Sequence, residues 1–261
     1  MHSLPWKRLL ANLYLAPSTA SRKVILLYHS IGNTPWAMDI QQFTQQMCFL
    51  QKHCEVMTLS ALLRAKPSDK IQVAITFDDG YACIHDIAAP IMKEYHIPGM
   101  VYLNTNWIAE NGSDRMLSQA TLGHYPEESF LAWPEVESLF QQGWEFGSHG
   151  MNHLHFKDET AAVVIQELKL SRRSIEQHVQ QSCRHFAYTW GEYNARLQKI
   201  VKDIGYDYAV AAIHGRLRAN SDPLALPRIN ISRDYTIDDF KNCILGKWDF
   251  LNYIQRIKRL I

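Results

Sequence analysis

The sequence predicts an α/β fold, a parallel sheet wrapped by helices in one barrel-like domain, and three observations carry that prediction. Short apolar runs alternate along the chain with stretches whose apolar residues recur at helical intervals. Where a run is continuous, as from Ile71 to Phe77, it reads as a strand buried on both faces, the pattern of a parallel sheet between helical layers. The chain has 261 residues, 47% of them hydrophobic, a length that α/β barrels reach as a single unit.

The N-terminal segment, 1–22, places Trp6, Leu9, Leu10, Leu13 and Tyr14 at helical spacing beside Lys7 and Arg8. That spacing predicts an amphipathic helix lying on the domain or on a membrane surface. A short secretion signal interrupted by Asn12 is the other reading. Strands are expected at 24–28, 71–77, 99–103, 144–147, 185–188 and 207–211, with helices between them at 39–54, 81–96, 133–142, 158–180 and 193–204. In the helix at 158–180, Ala162, Ile165, Leu168 and Ile175 form the expected core face. Residues 104–131 lack a clear period and exceed the usual connection length, which makes them a candidate substrate-facing loop or a surface insertion. The tail, 245–261, mixes Trp248, Phe250, Leu251, Ile254, Ile257 and Leu260 with Lys247, Arg256, Lys258 and Arg259, giving an amphipathic C-terminal helix.

Lysine plus arginine number 27 against 26 aspartate plus glutamate, so no overall field draws in a nucleic acid backbone. Nucleic acid is therefore not an expected partner. The five cysteines, Cys48, Cys54, Cys83, Cys183 and Cys243, form no close pair, and their odd number fits reduced thiols and a cytoplasmic location. Peripheral membrane contact through the two termini is compatible with that location; secretion is the alternative. No run of eighteen apolar residues is present to suggest a membrane-spanning helix.

The strongest local signal is Val73-Ala74-Ile75-Thr76-Phe77-Asp78-Asp79-Gly80-Tyr81, a buried strand that ends in two carboxylates and a glycine turn. Barrels carry their chemistry at such strand ends. Adjacent acids after a strand also serve simply as helix caps. The second signal is Ser148-His149-Gly150-Met151-Asn152-His153, which follows another expected strand. A spacing of four brings both imidazoles together on one helical turn, although nearby His155 leaves the choice of ligands open. Two histidines and one carboxylate make a ligand set with open positions, as hydrolytic zinc sites require.

Thr-Phe-Asp-Asp-Gly, followed some seventy residues later by Ser-His-x-x-x-His, resembles the polysaccharide deacetylases, carbohydrate esterase family four. The resemblance extends over Leu131-Ala132-Trp133-Pro134-Glu135-Val136, Phe186-Ala187-Tyr188 and Leu226-Pro227-Arg228-Ile229. It implies a distorted (β/α) barrel with an incomplete set of repeats. It also implies that Asp79, His149 and His153 bind a divalent metal, with zinc expected and cobalt or nickel as alternatives, and that Asp78 is the catalytic base. The early Val24-Ile25-Leu26-Leu27-Tyr28-His29-Ser30 is similar to the poly-N-acetylglucosamine deacetylase branch, in which His29 would be the general acid; His214, the only late histidine, lacks the alternative motif. Arg184 and Arg228 are candidates to hold Asp78, with Arg228 preferred as the end of an expected strand.

Two departures stand out. Thr189 and Trp190 occupy positions where that branch has Pro and Tyr, which leaves the Trp190 backbone N–H as the oxyanion donor but changes the pocket wall. Gly150 stands where a hydroxyl side chain is usual, and its loss is expected to weaken support for the ligands. The expected reaction is hydrolytic removal of N-acetyl groups from an amino sugar, oligosaccharide or polysaccharide. Hydrolysis of another amide, such as a formamido sugar or a cyclic nitrogen compound, and non-catalytic sugar binding are the competing readings.

Overall fold

The structure, a computed structural model, describes residues 4–14 and 19–260, apart from the side chains at 12, 122 and 256–260. In chain order the elements are α1 (Leu4–Leu13), β1 (Lys23–Tyr28), α2 (Ile40–His53), β2 (Cys54–Val56), α3 (Leu59–Arg64), β3 (Ile71–Phe77), α4 (Ala89–Glu94) and β4 (Met100–Leu103). They continue with α5 (Trp133–Gln141), β5 (Glu145–Ser148), α6 (Ala161–Val179), β6 (His185–Ala187), α7 (Ala195–Ile204), β7 (Tyr208–Val210), β8 (Ile229–Asn230), α8 (Ile237–Ile244) and α9 (Phe250–Leu260).

The strands form one parallel sheet in the order β7-β6-β5-β4-β3-β1-β8, with β2 paired to β3 off that path. β1 runs along β3 from Gln72 to Phe77, so the other edge of β3 is shared. β2 takes its first half, at Ile71–Val73, and β4 takes Thr76 and Phe77. The segment 226–230 draws the ends of the sheet together, because Leu226 bridges to Val210 of β7 while Ile229 and Asn230 pair with β1. This is the expected distorted barrel with incomplete repeats: β2 and β8 are too short to be full units.

Period-two alternation divides the core. Ile25, Ala74, Met100, Tyr102, Ala187, Val210 and Leu226 point into the barrel, where Leu59 and Leu62 of α3 join them. Alternate residues, among them Val24, Leu26, Val73, Ile75, Val101 and Leu103, pack outward against the helices. α3 stops the end where strands begin: the Ser60 N–H donates to Glu145 Oε2 at 3.0 Å, the Ser60 hydroxyl meets His185 Nε2 at 3.0 Å, and Lys23 Nζ donates to the Leu62 carbonyl at 3.1 Å. The opposite end, at the strand C-termini, is left for the site.

Several elements differ from the expectation. The helix at 81–96 is broken into a π-type turn at Ile84–Ala88 and the shorter α4. α6 starts only at Ala161, with Thr160 as its cap, so Ala162 lies exposed and Val164 takes the core position. The C-terminal helix begins at Phe250 rather than 245; Trp248 is buried before it, and the side chains of Arg256, Ile257, Lys258, Arg259 and Leu260 lie outside the described residues.

At the N-terminal segment, residues 1–3 and 15–18 lie outside the described residues. α1 packs on the end of the chain: Arg8 donates to both carboxylate oxygens of Asp239, and Trp6 and Tyr14 meet the Phe250 ring edge-on. Its other face leaves Leu9 and Leu13 exposed. Arg22 is fully buried and donates to both oxygens of Asp249 at 2.7 Å and to the Ile244 and Cys243 carbonyls. No described helix is long and apolar enough to cross a membrane.

Candidate metal centre and catalytic groups

Several of the candidate groups sit just past a strand, which is how a single end of the barrel collects them. Asp78 and Asp79 follow β3, His149 follows β5 and His29 follows β1. The Asp78 N–H donates to the Tyr28 carbonyl at 3.0 Å, tying the first two of these strand ends together. Asp79 then turns out of the strand with φ +71°, and Gly80 follows at φ +84°. A side chain at Gly80 would put its Cβ 2.9 Å from Leu103, so the turn requires glycine. The two carboxylates cap no helix: the next helical turn starts at Ile84.

Asp79, His149 and His153, all buried, offer donor atoms that lie within 4.8 Å of one another. Nε2 of His149 is 3.6 Å from Asp79 Oδ1, and Nε2 of His153 is 3.5 Å from the same oxygen. The Nδ1 of His149 lies 2.8 Å from the Ala187 carbonyl, an acceptor only, so Nδ1 carries the proton and Nε2 presents its lone pair to the group. Asn104, immediately after β4, donates to Asp79 Oδ1 at 3.3 Å. This donor set fits a divalent cation.

The two histidines are not on a helical turn. They lie in the loop after β5, where Gly150 has φ +82° and His153 φ +56°. The loop replaces helical geometry with hydrogen bonds: buried Glu167 of α6 accepts from the Met151 and Asn152 N–H groups at 2.8 and 3.1 Å and from Asn152 Nδ2 at 2.6 Å. A Cβ on Gly150 would stand 2.7 Å from the Phe156 ring, so a hydroxyl residue has no room in this backbone. Support for the ligands comes from Glu167 instead. His155 is exposed and stacks on Trp190 at 4.1 Å, apart from the ligand group.

Asp78 is held differently. Arg228 is fully buried and donates through both terminal nitrogens to the two Asp78 oxygens, at 2.6 and 2.7 Å. Burial alone would raise the carboxyl pKa; the Arg228 charge, with His149, more than offsets it and holds Asp78 at about 2. Asp79 is likewise held below the usual carboxylate range, burial being outweighed by His153, His29 and His149. Arg228 lies immediately before β8 rather than at a strand's end, and the other candidate, Arg184, is exposed and pairs with Asp207. His29 is half-buried, close enough for its charge to act on both Asp78 and Asp79, and its ring lies 5.5 Å from that of Tyr125. His214 is buried elsewhere, its backbone hydrogen-bonded to the α9 residues Gln255 and Asn252.

Trp190 takes φ +58° just past β6, half-exposed, with its ring 5.0 Å from that of His153. Thr189 donates to the Leu154 carbonyl at 2.6 Å, fastening this turn to the histidine loop. The 104–131 loop reaches the site as well. His124 lies buried with its ring 5.4 Å from that of His153, and burial lowers its pKa to about 4. The Tyr125 N–H donates to the Tyr81 hydroxyl at 2.8 Å. Sequence reasoning missed Asn104, Glu167 and His124. Only Asn104 carried a usable signal, its place directly after a strand.

The polysaccharide deacetylase family matches residues 65–209, more than half of the chain. The chain belongs to that family. Among curated proteins, a poly-beta-1,6-N-acetyl-D-glucosamine N-deacetylase of Staphylococcus epidermidis is 26% identical over 213 residues, covering 76% of this chain and 69% of the relative. The enzyme of the same description from Staphylococcus aureus is 26% identical over 233 residues, covering 82% and 72%. The fold is shared with the Streptococcus pyogenes deacetylase PplD in complex with acetate, with a TM-score of 0.74, 22% identity, and coverage of 86% of this chain and 99% of that one. IcaB from Ammonifex degensii gives a TM-score of 0.73 at 17% identity, over 87% and 97% of the two chains. As a member of this family the protein is a carbohydrate de-N-acetylase, a hydrolase that depends on a metal.

Proposed function

We propose that this deacetylase removes N-acetyl groups from an N-acetylglucosamine-containing oligosaccharide or polysaccharide, using zinc held by Asp79, His149 and His153, with cobalt or nickel as competent substitutes. The supporting observation is the pair of unlike carboxylates at one strand end: Asp79 faces two histidines, while Asp78 beside it is anchored by Arg228. When bound, the cation supplies Lewis acidity, making water more acidic and the acetyl carbonyl more electrophilic.

The chain's own groups do the rest. Asp78, ionised and fixed in orientation, accepts the proton of the attacking water. His29, on the neighbouring strand end, delivers a proton to the departing sugar nitrogen, so that the C–N bond breaks to a neutral amine. The Trp190 backbone N–H donates to the oxyanion that develops on the acetyl oxygen. The curated relatives act on poly-beta-1,6-N-acetyl-D-glucosamine, and that polymer heads the substrates to test.

Metal content and acetate release measured together test this reading. Asp78→Asn keeps the metal of the wild type but loses turnover by at least about 100-fold, whereas His153→Ala loses the metal. A wild type that binds no zinc, cobalt or nickel, or an Asp78→Asn variant that still turns over, overturns it.

A further inference from the structure

Beside His29 lies a hollow of about 200 Å³ bordered by Tyr28, Ser30, Trp36, Tyr125, Asn230 and Arg233. It is smaller than the ~300–1,000 Å³ of pockets for drug-sized ligands, so it admits one ring rather than a length of chain. Trp36 is the conspicuous wall. It is 50% exposed, although a large aromatic side chain gains from being covered.

The loop that carries it is built to hold it there. Met38 N–H donates to the Ser30 carbonyl at 2.9 Å and Gly32 N–H to the Met38 carbonyl at 2.9 Å, pinching the loop shut at its base. Buried Glu128, from the 104–131 loop, accepts from the Ser30 hydroxyl at 2.7 Å and the Thr34 hydroxyl at 2.9 Å. The same long loop supplies Tyr125, which is fixed by its N–H bond to Tyr81 and stacks on the Tyr81 ring at 5.9 Å. The hollow is thus bounded by two loops braced against each other, with aromatic walls and hydrogen-bonding edges from Asn230 and Ser232. Flat apolar faces ringed by polar groups suit a pyranose, whose C–H face is apolar and whose hydroxyls lie at the rim.

We propose that Trp36 is a specificity-determining residue, the platform on which one pyranose ring of the glycan stacks while its acetamide group is cut. This rests on the de-N-acetylase reading above, in which His29 protonates the sugar nitrogen and so must have the sugar beside it. Trp36 touches no reacting atom. It binds substrate and transition state alike, and its loss raises KM while leaving kcat nearly unchanged.

The test uses zinc-loaded full-length protein, a short series of N-acetylglucosamine oligomers, and an aryl acetate that lacks a sugar ring. For Trp36→Ala the expected result is a KM for the oligomers raised about tenfold, kcat within about twofold, a reduced preference for oligomer over aryl acetate, and unchanged zinc content. Trp36→Phe recovers part of the loss. An unchanged oligomer KM in Trp36→Ala, or equal losses on both substrates, overturns the platform while leaving the de-N-acetylase reading intact. If the zinc-loaded wild type releases no acetate from any oligomer, that reading fails instead. Calorimetric binding of the same oligomers then decides the platform: weaker binding by Trp36→Ala supports it, and equal binding overturns it.

Discussion

Asp78 and Asp79 are chemically identical neighbours in unlike environments. One carboxylate is neutralised by a bidentate guanidinium, the other is left facing imidazole nitrogens. Removing the guanidinium strands a buried charge. Arg228→Gln is therefore expected to lower the stability of the metal-free protein by about 3–5 kcal/mol, measured by urea unfolding. Asp78→Asn in the same chain should recover much of that loss, since no charge is then left unpaired. The resemblance implied unequal roles for the two acids, and their burial was legible from the apolar strand before them. The conformation of the histidine pair was not. A spacing of four reads as a helical turn, and nothing local in the sequence announces that Gly150 and His153 both adopt positive φ. Glu167, which secures that loop, comes from the middle of a helix whose pattern signals only a core-facing stripe.

Among the elements, the longest apolar runs were the most legible, although the three-residue β6 and β7 were also expected. β1 and β3, six and seven residues long, were evident from composition. The three-residue β2 and two-residue β8 were not expected, yet one shares an edge of the central strand and the other draws the barrel together. α8, eight residues long, was missed although Thr236 and Asp239 form a capping box at its start. β5 illustrates what a single missing side chain does for a strand. A Cβ on Gly147 would lie 2.7 Å from the Tyr102 ring and 2.8 Å from the His185 carbonyl, so the adjacent strands approach only because the position is bare. Gly147→Ala is expected to cost about 1–3 kcal/mol through overpacking and to reduce metal occupancy, because His149 leaves the same strand. Thermal unfolding with and without zinc separates the two effects.

At the scale of the whole molecule, buried histidines make stability depend on pH. His124, His185 and His214 are buried, and burial lowers all three to about 4. In the unfolded chain they titrate near 6.5. As pH falls below that value the unfolded state takes up protons first, so stability is retained above about 6.5 and lost progressively towards 4. The urea midpoint of the metal-free protein should fall across that interval, each histidine accounting for about 1–3 kcal/mol. His185→Gln should flatten the slope, and an unaltered slope would remove His185 from the account.

The barrel's closure carries a consequence for the order in which competence is acquired. The proposed metal ligands Asp79, His149 and His153 all precede Arg228 in the chain, and Arg228 arrives with the segment that bridges β7 to β1. On the reading proposed above, a chain emerging from the ribosome has its ligand set complete before the residue that fixes its base. A chain clipped before Arg228 is then expected to have lost the orientation that hydrolysis demands.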